Sequence, residues 1–135
     1  MKTIVVRQLD EKDEEIADAL ISLGMSRNEA RTLTYLQNVD EATSVELEKG
    51  TGMHQPEVSV AAKNLKERDW IKEREEKKPG KGRPYKVLSL KIGFNEIVAQ
   101  LEEQQKIGFE EVQLKIRRLK PSWRVNFLNR TILII

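Results

Sequence analysis

Side chains that can hydrogen-bond to nucleic-acid bases are concentrated over residues 54–64. The candidates are His54, Gln55, Glu57, Ser59, Val60, Lys63 and Asn64. Donors and acceptors of these types recognise base edges in the major groove, Glu57 could accept from a cytosine amino group, and Val60 could pack against a thymine methyl. The same residue types also make up ordinary solvated helix faces. Whether the stretch is a base-contacting surface or an ordinary solvated helix face therefore depends on the elements around it.

A second candidate is the loop EKKPGKGRP, Glu76–Pro84, whose prolines and glycines end both flanking strands. Residues 72–86 hold seven basic and three acidic side chains, a net +4 against +2 for the whole chain. The loop candidates are Lys77 and Lys78 for phosphates, and Lys81 and Arg83 for a narrow minor groove. A solvated hairpin tip is the alternative. The position of the loop after a predicted helix-turn-helix favours a nucleic-acid contact over a solvated hairpin tip.

The elements that must position these residues resemble a helix-turn-helix. Thr43-Ser44-Val45-Glu46 is a capping box that opens a short third helix, and Gly50-Thr51-Gly52 ends it. Pro56 suits the first turn of a fourth helix, which is predicted to reach about Asp69. At about 100° per residue, the apolar positions of the fourth helix converge on one face. These positions are Val58, Ala61, Ala62 and Leu65.

Two further helices are predicted before the helix-turn-helix. The first starts at Asp10 and ends at Gly24, and its inner face is predicted to hold Ile16, Ala19, Leu20 and Leu23. The second opens at the capping box that begins with Ser26, and its inner side is predicted to hold Ala30, Leu33, Thr34 and Leu36. Val39–Ala42 is predicted to be a turn. Strands are predicted at Trp70–Glu75 and Tyr85–Leu90.

The longest helical pattern runs over Ile92–Lys120, and Pro121 is expected to stop it. Its apolar residues form two patches separated by a polar stretch that contains Gly108. A long helix with its own apolar stripe has little globular body to cover it, which favours a dimer. The predicted dimer contacts are Phe94, Ile97, Leu101, Phe109, Val112, Ile116 and Leu119. The apolar tail at 122–135 fits either a strand or a helix, and pairing with Thr3–Val6 or another subunit would cover it.

Composition excludes several classes of function. The chain has 135 residues and no cysteine, which removes disulfides, thiolate zinc sites and a cysteine nucleophile. His54 is the single histidine, and no nucleophile–base set accompanies it, so neither catalysis nor a metal or other cofactor is expected. No signal-peptide core or membrane-spanning run is present in the sequence. We expect a cytoplasmic protein without a membrane partner.

The chain resembles winged-helix transcription regulators of the MarR/TrmB-like kind, the short archaeal type in particular. The resemblance rests on ATSVEL (Ala42–Leu47), TGMHQPEVSVAAKNL (Thr51–Leu65), RDWI (Arg68–Ile71) and GKGRPYKV (Gly80–Val87). It implies a homodimer on a pseudo-palindromic duplex site, with the fourth helix in the major groove and the wing loop in the minor groove. It also makes Ser44 a phosphate contact. The large sugar-binding domain of full-length TrmB-like regulators is missing here, so their ligand is not carried over.

The sequence therefore predicts an α+β, mainly helical, winged helix-turn-helix. Residues 1–91 are assigned to DNA binding, and residues 92–135 to a dimerisation helix with an apolar tail. The predicted partners are double-stranded DNA and a second copy of the chain. A winged-helix interaction module, acting as an adaptor in a transcription or repair assembly, is the alternative. The operator sequence, the direction of regulation and any effector stay open.

Overall fold

The computed structural model describes the backbone of residues 8–77 and 82–134 and the side chains of these ranges up to residue 120. The expected pairing of Thr3–Val6 with the tail therefore lies outside the described residues. The helices are α1 (Glu11–Ser22), α2 (Arg27–Gln37), α3 (Ser44–Thr51), α4 (Gln55–Glu67) and α5 (Phe94–Ile134). The strands are β1 (Ala42–Thr43), β2 (Ile71–Glu76) and β3 (Tyr85–Leu90). The predicted mainly helical α+β winged helix is confirmed.

The helix starts follow the capping signals in the sequence. Asp10 and Asp13 form a reciprocal capping box at α1, and Ser26 Oγ accepts from the Glu29 amide at α2. The predicted inner face of α1 is partly wrong, because Ala19 is exposed and Leu23 is 38% exposed. The buried positions of α1 are Asp13, Ala17 and Leu20. The buried face is thus rotated from the predicted one towards Asp13, whose carboxylate bonds to Asn38.

The helix-turn-helix pair α3–α4 has the predicted local chemistry. Thr43 and Glu46 cap α3 reciprocally, and Gly52 ends it with φ of 76°, a left-handed conformation that glycine adopts without steric cost. Pro56 lies in the first turn of α4, where its missing amide costs no helical hydrogen bond. Val58, Ala61, Ala62 and Leu65 are all buried, as the spacing predicts. The opposite face of α4 is left to solvent.

The sheet has the order β1–β3–β2, and both strand pairs are antiparallel. β2 and β3 pair from Ile71 opposite Leu90 to Glu76 opposite Tyr85, so the hairpin register carries the wing loop at its tip. The two-residue strand β1 replaces part of the predicted turn at Val39–Ala42. Ala42 pairs with Leu88, and a strand this short has no alternating pattern of its own to predict it. Trp70 precedes β2 and is buried in the core.

The core lies between α2, α3, α4 and the inner face of β3. Its largest fully buried side chains include Trp70, Tyr35, Leu33, Leu47 and Leu65. Burying one such side chain contributes about 1.5–3 kcal/mol. Packing against this core fixes the position and orientation of α4, and with them the position of its exposed side chains.

The carboxyl-terminal helix α5 is longer than predicted. Pro121 was expected to end it, whereas the helix continues to Ile134, so that prediction is wrong. An interior proline removes one backbone hydrogen bond at a cost of about 3 kcal/mol, and a helix continues where its neighbours favour it. The chain divides into two compact units, Met1–Ile97 and Val98–Ile135. The first contains the winged helix, and the second consists of α5 beyond its first turn.

Candidate nucleic-acid interface

The outward face of α4 presents a mixed set of polar and apolar groups. His54, Gln55, Ser59 and Lys63 are exposed, and Val60 is 59% exposed. Gln55 Nε2 donates to Ser59 Oγ at 2.8 Å, one helical turn away. Val60 places a large apolar side chain in water at the centre of this face. The exposed side chains of this face are therefore of the types that contact base edges.

Glu57, the predicted acceptor for cytosine, is already engaged within the protein. Its Oε1 accepts from the His54 backbone amide at 3.0 Å, and its Oε2 accepts from Asn28 Nδ2 at 3.3 Å. The backbone hydrogen bond from His54 is the largest influence that lowers the pKa of Glu57 below its ordinary value. One oxygen therefore caps the start of α4, and the other joins α4 to α2.

Asn64 is likewise half-buried and turned towards α2. Its Nδ2 donates to Oε2 of Glu29 at 3.4 Å, and the same carboxylate oxygen accepts from Ser26 Oγ at 2.8 Å. Arg68 approaches the other Glu29 oxygen at 3.8 Å. Glu57 and Asn64 thus hold α4 in place rather than extend from its outward face, and the sequence does not reveal these contacts because they join residues far apart in the chain.

Three predicted residues from separate elements meet in one cleft of about 250 Å³. Ser44 at the start of α3, and Ser59 and Lys63 on α4, line it together with Lys66 and Lys86. The positive end of the α3 dipole adds to the field of the lysines. Lys66 Nζ lies 2.9 Å from Glu73 Oε2, which offsets one of the charges. The polar lining therefore consists of three lysines, two serines and the Glu73 carboxylate, and apolar side chains complete the cleft. Its ammonium and hydroxyl groups are of the kind that bind phosphate oxygens.

Lys66 and Lys86 were not among the predicted site residues. A signal for Lys66 exists in the sequence, because Ser59, Lys63 and Lys66 follow the four- and three-residue steps of one helix stripe. Lys86 is brought to the cleft by the pairing of β3. Its contribution depends on the tertiary fold and has no local sequence pattern.

The wing is described only in part. Lys77 and Arg83 are exposed on its two sides, whereas Lys78 and Lys81 lie outside the described residues. Arg74 in β2 bonds to both Glu41 oxygens at 2.9 Å and to Glu76 at 2.9 Å. Its charge is therefore largely matched within the protein. Among the described wing residues, Lys77 and Arg83 are the stronger candidates for a nucleic-acid backbone.

Among the predicted dimer contacts, two are unavailable to a second chain. Ile97 and Leu101 are 0% and 2% exposed in the single chain, so their side chains have no free surface. Phe94 is half-buried. Further along α5, Phe109, Val112 and Leu119 are exposed and Ile116 is half-buried. The open apolar surface of α5 therefore lies in the second patch.

Other kinds of site are not found in the part of the chain that the structure describes. Over the described residues, no group of three or more histidine, cysteine or acidic side chains could hold a metal ion. In the same ranges, no helix combines the length and the apolar character that crossing a membrane needs.

Comparisons with known proteins agree with the geometry. A model of the MarR family matches residues 23–82, which cover α2 to the wing. A possible transcriptional regulator from Methanosarcina mazei Go1 superposes with a TM-score of 0.61 at 12% identity, over 78% of this chain and 86% of that one. This likeness shows the fold. No curated protein matches the sequence.

Two further solved structures also match this chain, at lower TM-scores. Stf76 from the Sulfolobus islandicus plasmid-virus pSSVx is 27% identical, with a TM-score of 0.44 over 58% of this chain and 95% of that one. A mutant of E. coli MarR complexed with operator DNA is 19% identical, with a TM-score of 0.47 over 69% of this chain and 64% of that one.

The fold and the basic outward face define a winged-helix protein. The family-model match covers 60 of the 135 residues, from α2 to the wing, and over this part the chain is similar to the MarR family. The resemblance predicted from the sequence is confirmed.

The lowered pKa of Glu57 leads to a pH prediction. A carboxyl whose folded pKa lies below its unfolded value adds stability above the unfolded pKa, and that stability is lost as pH falls through the folded pKa. We expect the His54 amide to lose its hydrogen bond as pH falls below the ordinary carboxyl range. An amide chemical-shift titration measures this loss. In Glu57→Gln the acid transition of the His54 amide should vanish, and its persistence would contradict the assignment.

Proposed function

We propose that the protein acts as a homodimer that binds a pseudo-palindromic duplex site, with α4 in the major groove and the wing in the minor groove. The cleft that joins Ser44, Lys63 and Lys86 is the observation that carries this proposal. It supplies backbone contacts beside a helix face with exposed base-contacting groups. Residues 1–91 would bind DNA, and residues 92–135 would hold two copies together.

The cleft has groups that can bind a backbone phosphate, while its Glu73 carboxylate is paired with Lys66. Hydroxyls of Ser44 and Ser59 and ammonium groups of Lys63 and Lys86 can surround phosphate oxygens from several directions. Contacts of this kind set the position and angle of a recognition helix without reading sequence. A phosphate in the cleft would hold the middle of α4 towards the groove, since Ser59 and Lys63 extend from it.

The wing supplies the second contact in the proposal. Lys77 and Arg83 lie on the two sides of the hairpin tip, where a positive side chain can follow a narrow minor groove of high negative potential. Gly82 has φ of 137°, a conformation that glycine favours, and it lets the backbone at the tip approach closely. Lys78 and Lys81 complete the proposed wing set.

We expect Arg83→Ala to weaken duplex binding by about 1 kcal/mol or more and to lower the salt dependence, because one charged groove contact is lost. Fluorescence anisotropy over a salt series measures both quantities. Lys12→Ala, which removes an equally exposed charge from α1, serves as the control and should change neither. Equal affinity and equal salt slope for Arg83→Ala and wild type would remove the wing from the mechanism.

The proposed dimer uses the second apolar patch of α5. Phe109, Val112 and Leu119 are 65%, 50% and 76% exposed, which is a continuous apolar stripe at helical spacing with Ile116 beside it. Such a stripe is stable in water when another apolar surface covers it. A second copy of α5 provides the same stripe, and a twofold axis would bring the two stripes together.

We expect Phe109→Asp combined with Leu119→Asp to convert the dimer to a monomer, because two charges would be buried at the interface. Light scattering gives the mass directly. Lys115→Asp changes an exposed position of the same helix and should leave the dimer intact. A double variant that keeps the wild-type mass would place the dimer contact elsewhere.

Binding to duplexes of random and A·T-rich sequence tests the proposed function. Wild-type protein should bind both, with an affinity that falls steeply as salt rises. If binding is undetectable near micromolar protein, or insensitive to salt, the winged helix serves instead as a protein-interaction module. Selecting bound sequences from a random duplex pool then identifies the operator.

A further inference from the structure

Hydrogen bonds within the protein reduce the number of side chains on α4 that can read bases. Glu57 and Asn64 are turned to α2 by their contacts with Asn28 and Glu29. Lys63 lines the lysine cleft beside α3. The exposed groups considered for base contacts are His54, Gln55, Ser59 and Val60, at the amino-terminal end of α4, and Ser59 also lines that cleft. Recognition helices contact base edges mainly with their amino-terminal residues.

The bond between Gln55 and Ser59 fixes how the Gln55 amide can present itself. One amide hydrogen is given to Ser59 Oγ at 2.8 Å, and the second hydrogen and the carbonyl oxygen can still bond to a ligand. One donor beside one acceptor is the pattern that matches adenine, because the N7 atom accepts and the N6 amino group donates. Guanine presents two acceptors on the same edge and would oppose the Gln55 carbonyl.

Val60 offers a separate apolar contact. Its side chain is 59% exposed. Val60 is five positions after Gln55, so the two side chains differ by about 140° around the helix and would contact different base pairs. The apolar group of a major groove is the thymine methyl.

We infer that Gln55 and Val60 read two A·T base pairs, Gln55 at an adenine and Val60 at a thymine methyl, with Ser59 positioning the Gln55 amide. The inference rests on the proposed function and deepens it, because it names the base class of the half-site centre. Glu57 and Asn64 take no part in base selection.

Sequences selected by wild-type protein from a random duplex pool provide the first test. The selected half-site should contain A·T pairs at two positions. Selection by Gln55→Ala should lose the preference at one of them, and selection by Val60→Ala should lose it at the other. Val60→Ala and Gln55→Ala change exposed side chains, so circular dichroism melting should show that both variants fold as wild type does.

Single-atom changes in the selected duplex provide the second test. Replacing the contacted thymine by uracil removes the methyl and should weaken wild-type binding about four-fold. The same replacement should have no effect on Val60→Ala. Replacing the contacted adenine by 7-deazaadenine removes the N7 acceptor and should weaken wild type by about ten-fold, with no effect on Gln55→Ala. Ser59→Ala should give an intermediate loss at that adenine.

The outcomes separate this inference from the proposed function. G·C pairs at the two positions would overturn the inference, as would a uracil effect that persists in Val60→Ala. Salt-dependent binding without any selected sequence would also overturn it and would leave DNA binding intact. If wild-type protein binds no duplex at all, the proposed function fails together with the inference. Glu67→Ala, at the exposed carboxyl end of α4, is the control and should keep every preference.

Discussion

Arg31→Ala is expected to lower the free energy of unfolding by about 2 kcal/mol and to weaken duplex binding without changing its salt dependence. Arg31 Nη1 donates to both Glu14 oxygens at 2.6 and 2.7 Å, and its Nε and Nη2 donate to the Thr51 carbonyl at 3.3 and 2.9 Å. The Arg31 side chain is 14% exposed and that of Glu14 is 44% exposed, so the cost lies below that of a fully buried pair.

The DNA effect follows from where Arg31 holds the chain. Thr51 is the last residue of α3, and the turn after it leads into α4. We call the contacts of Arg31 with Glu14 and Thr51 the Arg31 clamp. Loss of the Arg31 clamp leaves the Thr51 carbonyl without its guanidinium partner and loosens the angle between α3 and α4. The salt slope should stay constant because Arg31 is not proposed to touch a phosphate.

Urea unfolding and anisotropy over a salt series measure the two effects of the clamp. Arg31→Lys keeps the charge but loses the forked geometry, so it should recover part of the stability only. Arg27→Ala removes an exposed arginine from the start of the same helix and serves as the matched control. Wild-type stability in Arg31→Ala would show that the clamp contributes nothing.

Removing both exposed lysines of the cleft is expected to have the largest effect on binding. Lys63→Ala with Lys86→Ala should lower the salt slope by about 1 if the two lysines share a phosphate and by about 2 if each neutralises its own, since each phosphate contributes about 0.9. At moderate salt the duplex affinity should fall by roughly ten- to a hundred-fold. The physical reason is that both ammonium groups face one cleft, where each would neutralise a backbone phosphate or share one.

Anisotropy at several salt concentrations gives the slope for the cleft variant. Lys12→Ala with Lys49→Ala makes the same change in net charge at two exposed lysines elsewhere in the first unit. The control pair should retain the wild-type slope. If the two pairs have equal effects, binding depends on total charge and the cleft has no special role.

Local sequence chemistry predicts most of the helices and the hairpin. Reciprocal caps at Thr43–Glu46, the glycine at position 52 and the proline in the first turn of α4 each act over a few residues. The buried face of α4 follows from its periodicity for the same reason. Where the pattern is short, as in the two-residue strand β1, periodicity carries no information and the element appears only through its pairing with β3.

The candidate site likewise has features that local sequence predicts and features that only tertiary contacts determine. The exposure of Gln55, Ser59 and Val60 follows from helical periodicity alone. The loss of Glu57 and Asn64 from the outward face does not, because their partners are 29 and 35 residues away in the chain. Lys86 enters the cleft through strand pairing. A sequence pattern identifies a helix face, whereas the tertiary contacts decide which of its groups remain free.

The most direct test of the account is a titration of isotope-labelled protein with a short duplex, followed by amide chemical shifts. The account predicts that the largest changes lie at residues 54–63 of α4, at Ser44 and in the described wing from Gly82 to Lys86. The amides of α1 outside the Arg31 clamp should change little. Changes confined to residues 98–120, or no change at saturating duplex, would contradict the claim that α4 and the wing form the DNA-binding surface.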